Sequence, residues 1–521
     1  MNNLNAIDKA IAIFSPEKAL KRTHARKKLE LLNSGYSNGG ASKRKKSMLG
    51  WVFKGGSTKE DIDDNLDTLR QRSRDLFMNT PLATGALKTI RTNVTGAGLR
   101  LNAQIDYEYL GLTEEEADEW ETTAEREFEL WSESLMCDAM QMHDFYELQQ
   151  LAFLSFLMSG EVFTLLPYRS NPQNPYGLRV QLIEADRVTS PPGNNPNIIN
   201  GVELGKYGEV VAYHFSKQHP LSLSSGKNDW VRVEKFGKKT GRQNVLHLME
   251  SERPEQRRGV PILAPVIESL KQLDRYTEAE LMAALVSSLF TVFIETEDAE
   301  NDGPPFVDSI PEQEQVDSED ETSYEMAPGS IIALSEGEKA NVANPARNNA
   351  SFDPFVVSIC RQIGSALELP YELLLKHFTS SYSASRGALL EAWKMFKMRR
   401  EWIAKRFCQP IYEEFLTEAV LLGRIQAPGF FNDPMIRKAY CKAEWNGPSQ
   451  GQLDPLKEVN AAIKRVENGF STRTKETVEL TGGDFWRNHL LRIREEKARR
   501  ESGLDAKYEE LQKEVREGDE D

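Results

Sequence analysis

The chain has 521 residues, 80 of them acidic and 65 basic, for a net charge of −15, with 39% hydrophobic and 28% charged residues. That length exceeds a single compact core, so about two to four domains are expected, and the acidic balance excludes a conventional tight nucleic-acid binder, which displaces counterions with excess Lys and Arg. The longest uncharged apolar stretch, Leu281–Ile294, would reach about 21 Å as a helix, short of the roughly 30 Å a bilayer core demands, so no membrane partner is expected.

Met1–Leu20 carries Asp8 and Glu17 without a small-residue cleavage site, so no secretory signal is expected. Residues 1–57 read as a weakly ordered basic arm: 18–54 hold eleven Lys/Arg against Glu30 alone, and Asn33–Gly56 is rich in Gly, Ser, Asn and Lys. Such an arm is either a plain flexible tail or a contact for nucleic acid or an acidic partner. Order starts near Ser57, where Ile62, Leu66, Leu69, Leu76 and Phe77 recur at helical spacing; Asn79-Thr80-Pro81 interrupts them, and Leu82, Ala86, Leu87 and Ile90 resume. Thr113 with Glu116 makes a capping-box pair before a helix that carries Trp120, Phe128 and Trp131 on its apolar side. Asp144–Met158 is apolar nearly all round, the pattern of a buried helix.

From Glu161 the period changes to that of strands. Val162–Leu166, Leu178–Ile183, Val202–Leu204, Val210–Phe215, Trp230–Val233 and Val245–Leu248 are short β-rich runs parted by turns such as Pro191–Asn195 and Asn200-Gly201. They predict an antiparallel β module inside a helical protein, an α+β fold. Helical spacing returns from Pro261 to Ile294, a helix about 50 Å long. Residues 295–325 hold thirteen acids and no base, which predicts a loop, followed by a short β run over Ser330–Leu334 and a break near Asn341–Asn349. A second helix over Phe352–Glu368 stops before Pro370. The Ser/Thr-rich Lys376–Ser385 reads as a connection. A very long helix then covers Arg386–Ile425, with Pro410 predicting a kink near Gln409. The remainder is polar and helical, with weak order expected in the charge-dense 492–521.

No enzyme chemistry emerges. Gly237–Thr240 lacks the glycines of a phosphate loop, and Gly96-Ala97-Gly98 is a lone pair better read as a turn. The seven histidines show no metal-ligand spacing, and Cys137, Cys360, Cys408 and Cys441 lie too far apart in sequence to suggest staples or ligands, so no cofactor is expected. Acids at Asp61/Asp63/Asp64 and Glu114/Glu115/Glu116 fall at helix starts, where the helix dipole explains them.

Five stretches, in order, resemble the lambda-type family of phage portal proteins across about residues 60–430. They are RSRDLFMNTPLATGALKTIRTNVTGAGLRL from Arg72; SGEVFTLL from Ser159 with LRVQLIEADRV from Leu178; INGVELGKYGEVVAYHF from Ile199; VLHLMESERPEQRRGVPILAPVIESLKQLDRYTEAEL from Val245; and ELPYELLLKHFTSSYSASRGALLEAWKMF from Glu368. The acidic segment 295–325 departs from the family pattern in length and charge.

The resemblance implies a non-enzymatic ring at one capsid vertex, usually of twelve copies, with wing, stem, clip and crown. Residues 58–258 would form the wing, 259–294 and 351–369 the stem helices, 295–350 the clip, 370–385 the tunnel-loop region, 386–425 the kinked wing helix and 426–521 the crown and tail. Lys376, His377, Thr379, Ser380, Ser381, Tyr382, Ser383 and Ser385 would face double-stranded DNA, for which hydroxyls and one ammonium suffice for sequence-independent phosphate contact. Leu281, Leu285, Leu289, Phe293, Ile359 and Ile363 would pack the stem, while Glu312, Glu314, Asp317, Glu319, Asp320 and Glu321 would face partners. Those partners would be terminase, head–tail adaptors and the major capsid or scaffolding protein, in the host cytoplasm during assembly and in the virion afterwards. The seven bases against two acids in Arg386–Arg406 read as a solvated or inter-subunit salt-bridged face in preference to a DNA contact. Two alternatives stand beside this: a DNA-processing enzyme with an unrecognised carboxylate–metal site, and a monomeric acidic adaptor.

Overall fold

Lys, Arg, Ala, Leu and Glu, all strong helix formers, dominate the stretch after Pro16, and a proline at the first helical position is pre-set for the turn. They make helix α1, Pro16–Leu32, where apolar periodicity alone predicted a structureless arm. The computed structural model describes residues 10–11, 13–32, 55–172, 174–193, 195–222, 229–288, 292–296, 338–342, 352–378, 381–451 and 454–502. Two compact units divide the chain at Asp61/Ile62; α1 belongs to the first, and every element below to the second.

Helices α2 (Leu66–Asn79) and α3 (Pro81–Val94) meet at Thr80, where Pro81 ends one and opens the next. Strand β1 (Arg100–Ala103) leads to α4 (Glu114–Ser132). The predicted capping box is in place: Glu116 N–H donates to Thr113 Oγ1 at 3.2 Å, and Thr113 N–H to Glu116 Oε2 at 2.8 Å. A second box, Asp144 with Glu147, opens α5 (Phe145–Ser159). Nine side chains of α5 are buried, as its all-round apolarity requires.

Strands β2 (Glu161–Leu165), β3 (Gln181–Ile183), β4 (Ile198–Ile199), β5 (Val202–Leu204), β6 (Val210–Ser216), β7 (Trp230–Glu234) and β8 (Val245–Met249) form two antiparallel sheets, ordered β3-β2-β8 and β4-β5-β6-β7. Phe163, Ile183, Val188, Val202, Tyr213, Phe215 and Val245 fill the space between them. The main core lies elsewhere. Phe128 of α4 meets Phe145, Tyr412 and Phe415 edge-on with centroids 5.2–5.6 Å apart, and Phe145 stacks on Phe407 at 5.9 Å.

Helix α6 runs Ile267–Ser288, and the chain then turns into strand β9 (Val292–Thr296), paired antiparallel with β10 (Glu338–Val342). The expected helix to Ile294 is therefore too long, and Asn341 lies in a strand where a break was expected. Val292, Phe293 and Ile294 are β-branched or aromatic, and a short apolar run does not distinguish helix from strand by spacing. Helices α7 (Phe352–Ala366) and α8 (Tyr371–Leu375) flank Pro370. Helix α9 (Tyr382–Ile403) passes through a π turn, Ala404–Cys408, into α10 (Gln409–Leu421). The interruption precedes Pro410, whose ring crowds the carbonyl four residues back and which lacks an N–H to give it. Helix α11 (Pro434–Tyr440) and strand β11 (Ala443–Asn446) follow, and β11 pairs with β1, Arg100 opposite Asn446. Three helices close the described chain: α12 (Pro455–Glu467), α13 (Arg473–Thr481) and α14 (Phe485–Glu501). The last extends order well into the 492–521 region expected to be weakly ordered. The two motifs rejected as nucleotide loops are turns: Gly96 and Gly98 sit at φ +54° and +111°, and a Cβ on Gly98 would lie 2.5 Å from Tyr146.

Candidate channel-facing site and stem root

Leu375 ends α8, and Lys376 caps it in the left-handed conformation at φ +54°, a fold-back that leaves Lys376, His377 and Phe378 exposed in sequence. Phe378, 51% exposed, is a bulky apolar side chain among the polar ones that sequence reading singled out. Thr379 and Ser380 lie outside the described residues. Helix α9 starts at Tyr382, with Ser385 N–H bonded to Ser381 O at 2.9 Å. Tyr382, Ser383 and Ser385 are thus helical, a correction to the predicted connection: each serine costs a helix only about 0.5 kcal/mol against alanine, which propagation from the long helix offsets.

The basic face of α9 is mostly neutralised within the chain. Lys394 pairs with Glu391 at 2.6 Å, Lys397 with Glu479 at 2.8 Å and Arg386 with Glu458 at 3.8 Å. Arg400 turns inward, donating to Val94 O at 3.1 Å and Asn93 O at 2.9 Å. Arg399 is buried, with Glu368 Oε2 at 3.5 Å. These ties attach α9 to α3, α12 and α13; Lys394, Lys397 and Arg386 are salt-bridged within the chain at a solvated face, as expected, while Arg399 and Arg400 turn inward.

Helices α6 and α7, the two expected stem helices, meet through Tyr276, which stacks on Phe352 at 5.5 Å and meets Phe355 edge-on at 5.2 Å. Ile363 is buried and Ile359 half-buried. Along α6, Leu270 and Leu273 are buried at 1% and 6% exposure, whereas Leu281, Met282 and Leu285 stand 62%, 55% and 50% exposed. Phe293 lies in β9 and not on the helix; Leu289 and Glu312, Glu314, Asp317, Glu319, Asp320 and Glu321 lie outside the described residues.

Ahead of α6, where the chain passes Gly259, is a fully buried carboxylate. Glu161, 0% exposed, accepts from Arg258 Nε at 2.7 Å, Gly259 N–H at 2.9 Å and His247 Nε2 at 2.7 Å, and is ion-paired to Arg70. Arg70 also donates to Ser159 O at 3.1 Å; Arg258 donates to Ala185 O and Val188 O, both at 2.9 Å, and to Asn200 O. Burial alone would raise the Glu161 carboxyl, but Arg258, Arg70 and the His247 hydrogen bond outweigh it and hold it far below the usual carboxylate range. Burial lowers His247, outweighing the pull of Glu161, so the ring is neutral beside an ionised carboxylate. Backbone joins backbone beneath: a Cβ on Gly160 (φ +84°) would lie 2.3 Å from the Val260 carbonyl carbon. Glu161 sits inside the quoted SGEVFTLL, and His247, Arg258 and Gly259 inside the stretch that begins at Val245, while Arg70 lies just before the stretch that begins at Arg72; an acid heading an apolar strand was the signal that sequence reading passed over.

Among the described residues no group of three or more His, Cys, Asp or Glu could hold a metal, and no helix is long and apolar enough to cross a membrane. The sequence matches the family model described as phage portal protein, lambda family, over residues 44–400. It is 25% identical over 489 residues to Portal protein B of Escherichia phage lambda, covering 90% of this chain and 91% of that one. The portal protein of Escherichia phage N15 is 24% identical with the same coverage, and a probable portal protein of Halomonas phage phiHAP-1 is 24% identical, covering 77% of this chain and 74% of its own. Among solved structures, the neck of a native gene transfer agent particle computed with C12 symmetry overlaps 80% of this chain and 93% of its own, at TM-score 0.42 and 15% identity. The neck of the empty particle, with C6 symmetry, covers 80% of this chain and 92% of its own, at TM-score 0.43 and 17% identity. With the family model spanning well over half of the chain, the protein belongs to the lambda family of phage portal proteins.

Proposed function

We propose that the protein assembles as a ring of twelve copies in which α6 and α7 pack against their neighbours, and that the segment 376–385 lines the narrowest part of the DNA path. The observation that carries this is the change along α6. Its first half buries Leu270 and Leu273, while Leu281, Met282 and Leu285 are each half or more exposed, an apolar stripe that neighbouring copies would cover. Lys376, His377 and Phe378, exposed at the start of the connection, offer one ammonium, an imidazole and an apolar ring: enough to touch a sliding polyanion, too little to grip it. The acid-rich 295–325 serves in this reading as the clip, presented to terminase during packaging and to head–tail adaptors later, with assembly in the host cytoplasm beside capsid or scaffolding protein.

Electron microscopy of the purified protein tests the reading. Annular particles with a central channel and twelvefold symmetry are expected; monodisperse single subunits at high concentration would overturn it.

A further inference from the structure

We propose that the outer edge of β11 is a docking site for an extended acidic segment of a partner protein, which adds as a third strand on the side of β11 away from β1. The inference goes beyond the ring and does not rest on it.

The hydrogen-bond phase of the β1–β11 ladder points to the edge. Gln104 N–H donates to Lys442 O at 3.0 Å, so Lys442, Glu444 and Asn446 turn their main-chain groups toward β1, while Ala443 and Trp445 turn theirs away. The far edge of β1 is closed, because Glu125 accepts from Ala103 N–H at 2.8 Å and Glu121 from Ile105 N–H at 2.7 Å. Just before β11, the Gln409 side chain takes Cys441 O at 2.7 Å. Among the described residues nothing pairs with the outward main chain of Ala443 or Trp445. That is an open strand edge of the kind proteins otherwise cover.

The edge borders a cleft of about 540 Å³, lined by Ala443 and Trp445 together with residues of the π turn and of α11. One wall is apolar, with Tyr109 and Met435 each 56% exposed. The lining carries three lysines, Lys405, Lys438 and Lys442, against two acids, Asp106 and Glu413, an excess of one positive charge. Lys442 pairs with Asp106 at 3.8 Å, and Glu413 accepts from Gln409 at 3.2 Å. Lys405 and Lys438, both exposed, have no carboxylate partner among the described residues. A π turn widens the helix at this wall, and such turns recur at functional positions. Free N–H and C=O groups on a strand edge match a peptide backbone and not a sugar-phosphate chain. The two lysines call for carboxylates, and the apolar wall accepts a large apolar side chain.

The test uses the full-length protein, with a fluorescent octapeptide alternating glutamate with valine and leucine as the probe and its lysine counterpart as control. Binding of the acidic peptide should slow amide exchange at Ala443 and Trp445. Ala443→Pro deletes only an outward donor, and Glu444 and Asn446 amides report whether the ladder survives; it should weaken binding about tenfold, as should Lys405→Glu with Lys438→Glu. Unchanged exchange at Ala443 and Trp445, or equal binding of the lysine peptide, overturns the proposal. So does undiminished binding by both variants. Protection of the same amides by a DNA duplex would reassign the lysines to nucleic acid. Concentration-dependent protection without peptide would assign the edge to a second copy.

Discussion

Glu161 is ionised without touching water because two guanidinium groups and a main-chain N–H converge on it. Glu161→Gln strands Arg70 and Arg258 without a counter-ion and should cost about 3–5 kcal/mol in urea unfolding. Its folded pKa is depressed, so its stabilisation is complete above the unfolded value of about 4.3 and is lost as pH falls below it. His247, also depressed, acts in the same direction below about 6.5. Wild-type stability should therefore decline on acidification, and the decline below about pH 4.3 should be shallower in Glu161→Gln. Glu125 has the opposite sign. Burial, reinforced by Asp484, Glu121 and Glu129, raises its carboxyl to about 7, against the Ala103 hydrogen bond. A raised carboxyl contributes stability that is full below the unfolded value and disappears as pH climbs through about 7. Glu125→Gln should thus raise the thermal midpoint at pH 8 and change it little at pH 5, by calorimetry.

At the scale of elements, chemistry that acts within a few residues was legible. Thr113 and Glu116 announced α4, the apolar circumference of α5 announced its burial, and five of the six strand runs predicted between Val162 and Leu248 match β2 and β5–β8 to within a residue at each end, while the run over Ser330–Leu334 lies outside the described residues. Leu178–Ile183 shrank to Gln181–Ile183. What failed depended on distant partners. β1 and β11, more than 340 residues apart, define one another through Arg100 opposite Asn446, and Ala443–Asn446 has too few residues to show a period. Helix α1 escaped because its residues favour the helix by propensity and not by pattern. Arg399 and Arg400 looked like surface charge because sequence cannot show that Glu368 waits within reach of the first and Val94 O and Asn93 O within reach of the second. The exposed stripe on α6 carries the element-scale prediction. Leu281→Asp or Leu285→Asp should leave the subunit folded, since neither residue is in the core, yet abolish annular particles by placing an unpaired charge in the proposed apolar interface, at a cost of several kcal/mol.

For the whole molecule, membership of the portal family makes this chain a structural ring subunit of the virion and a DNA conduit, with no catalysis of its own. Deleting Thr379–Tyr382 should leave rings intact by microscopy while impairing DNA packaging or retention, measured as nuclease-protected genome per particle; loss of the rings would make the segment structural. The buried carboxylate of Glu161 also bears on how force would travel from α6. One side chain ties the start of the path into α6, through Arg258 and Gly259, to α2 through Arg70 and to β8 through His247, while Arg258 reaches the turns around β3 and β4. A pull on α6 would load all of these segments together, because it could not lengthen one charge-assisted bond at Glu161 without straining the others.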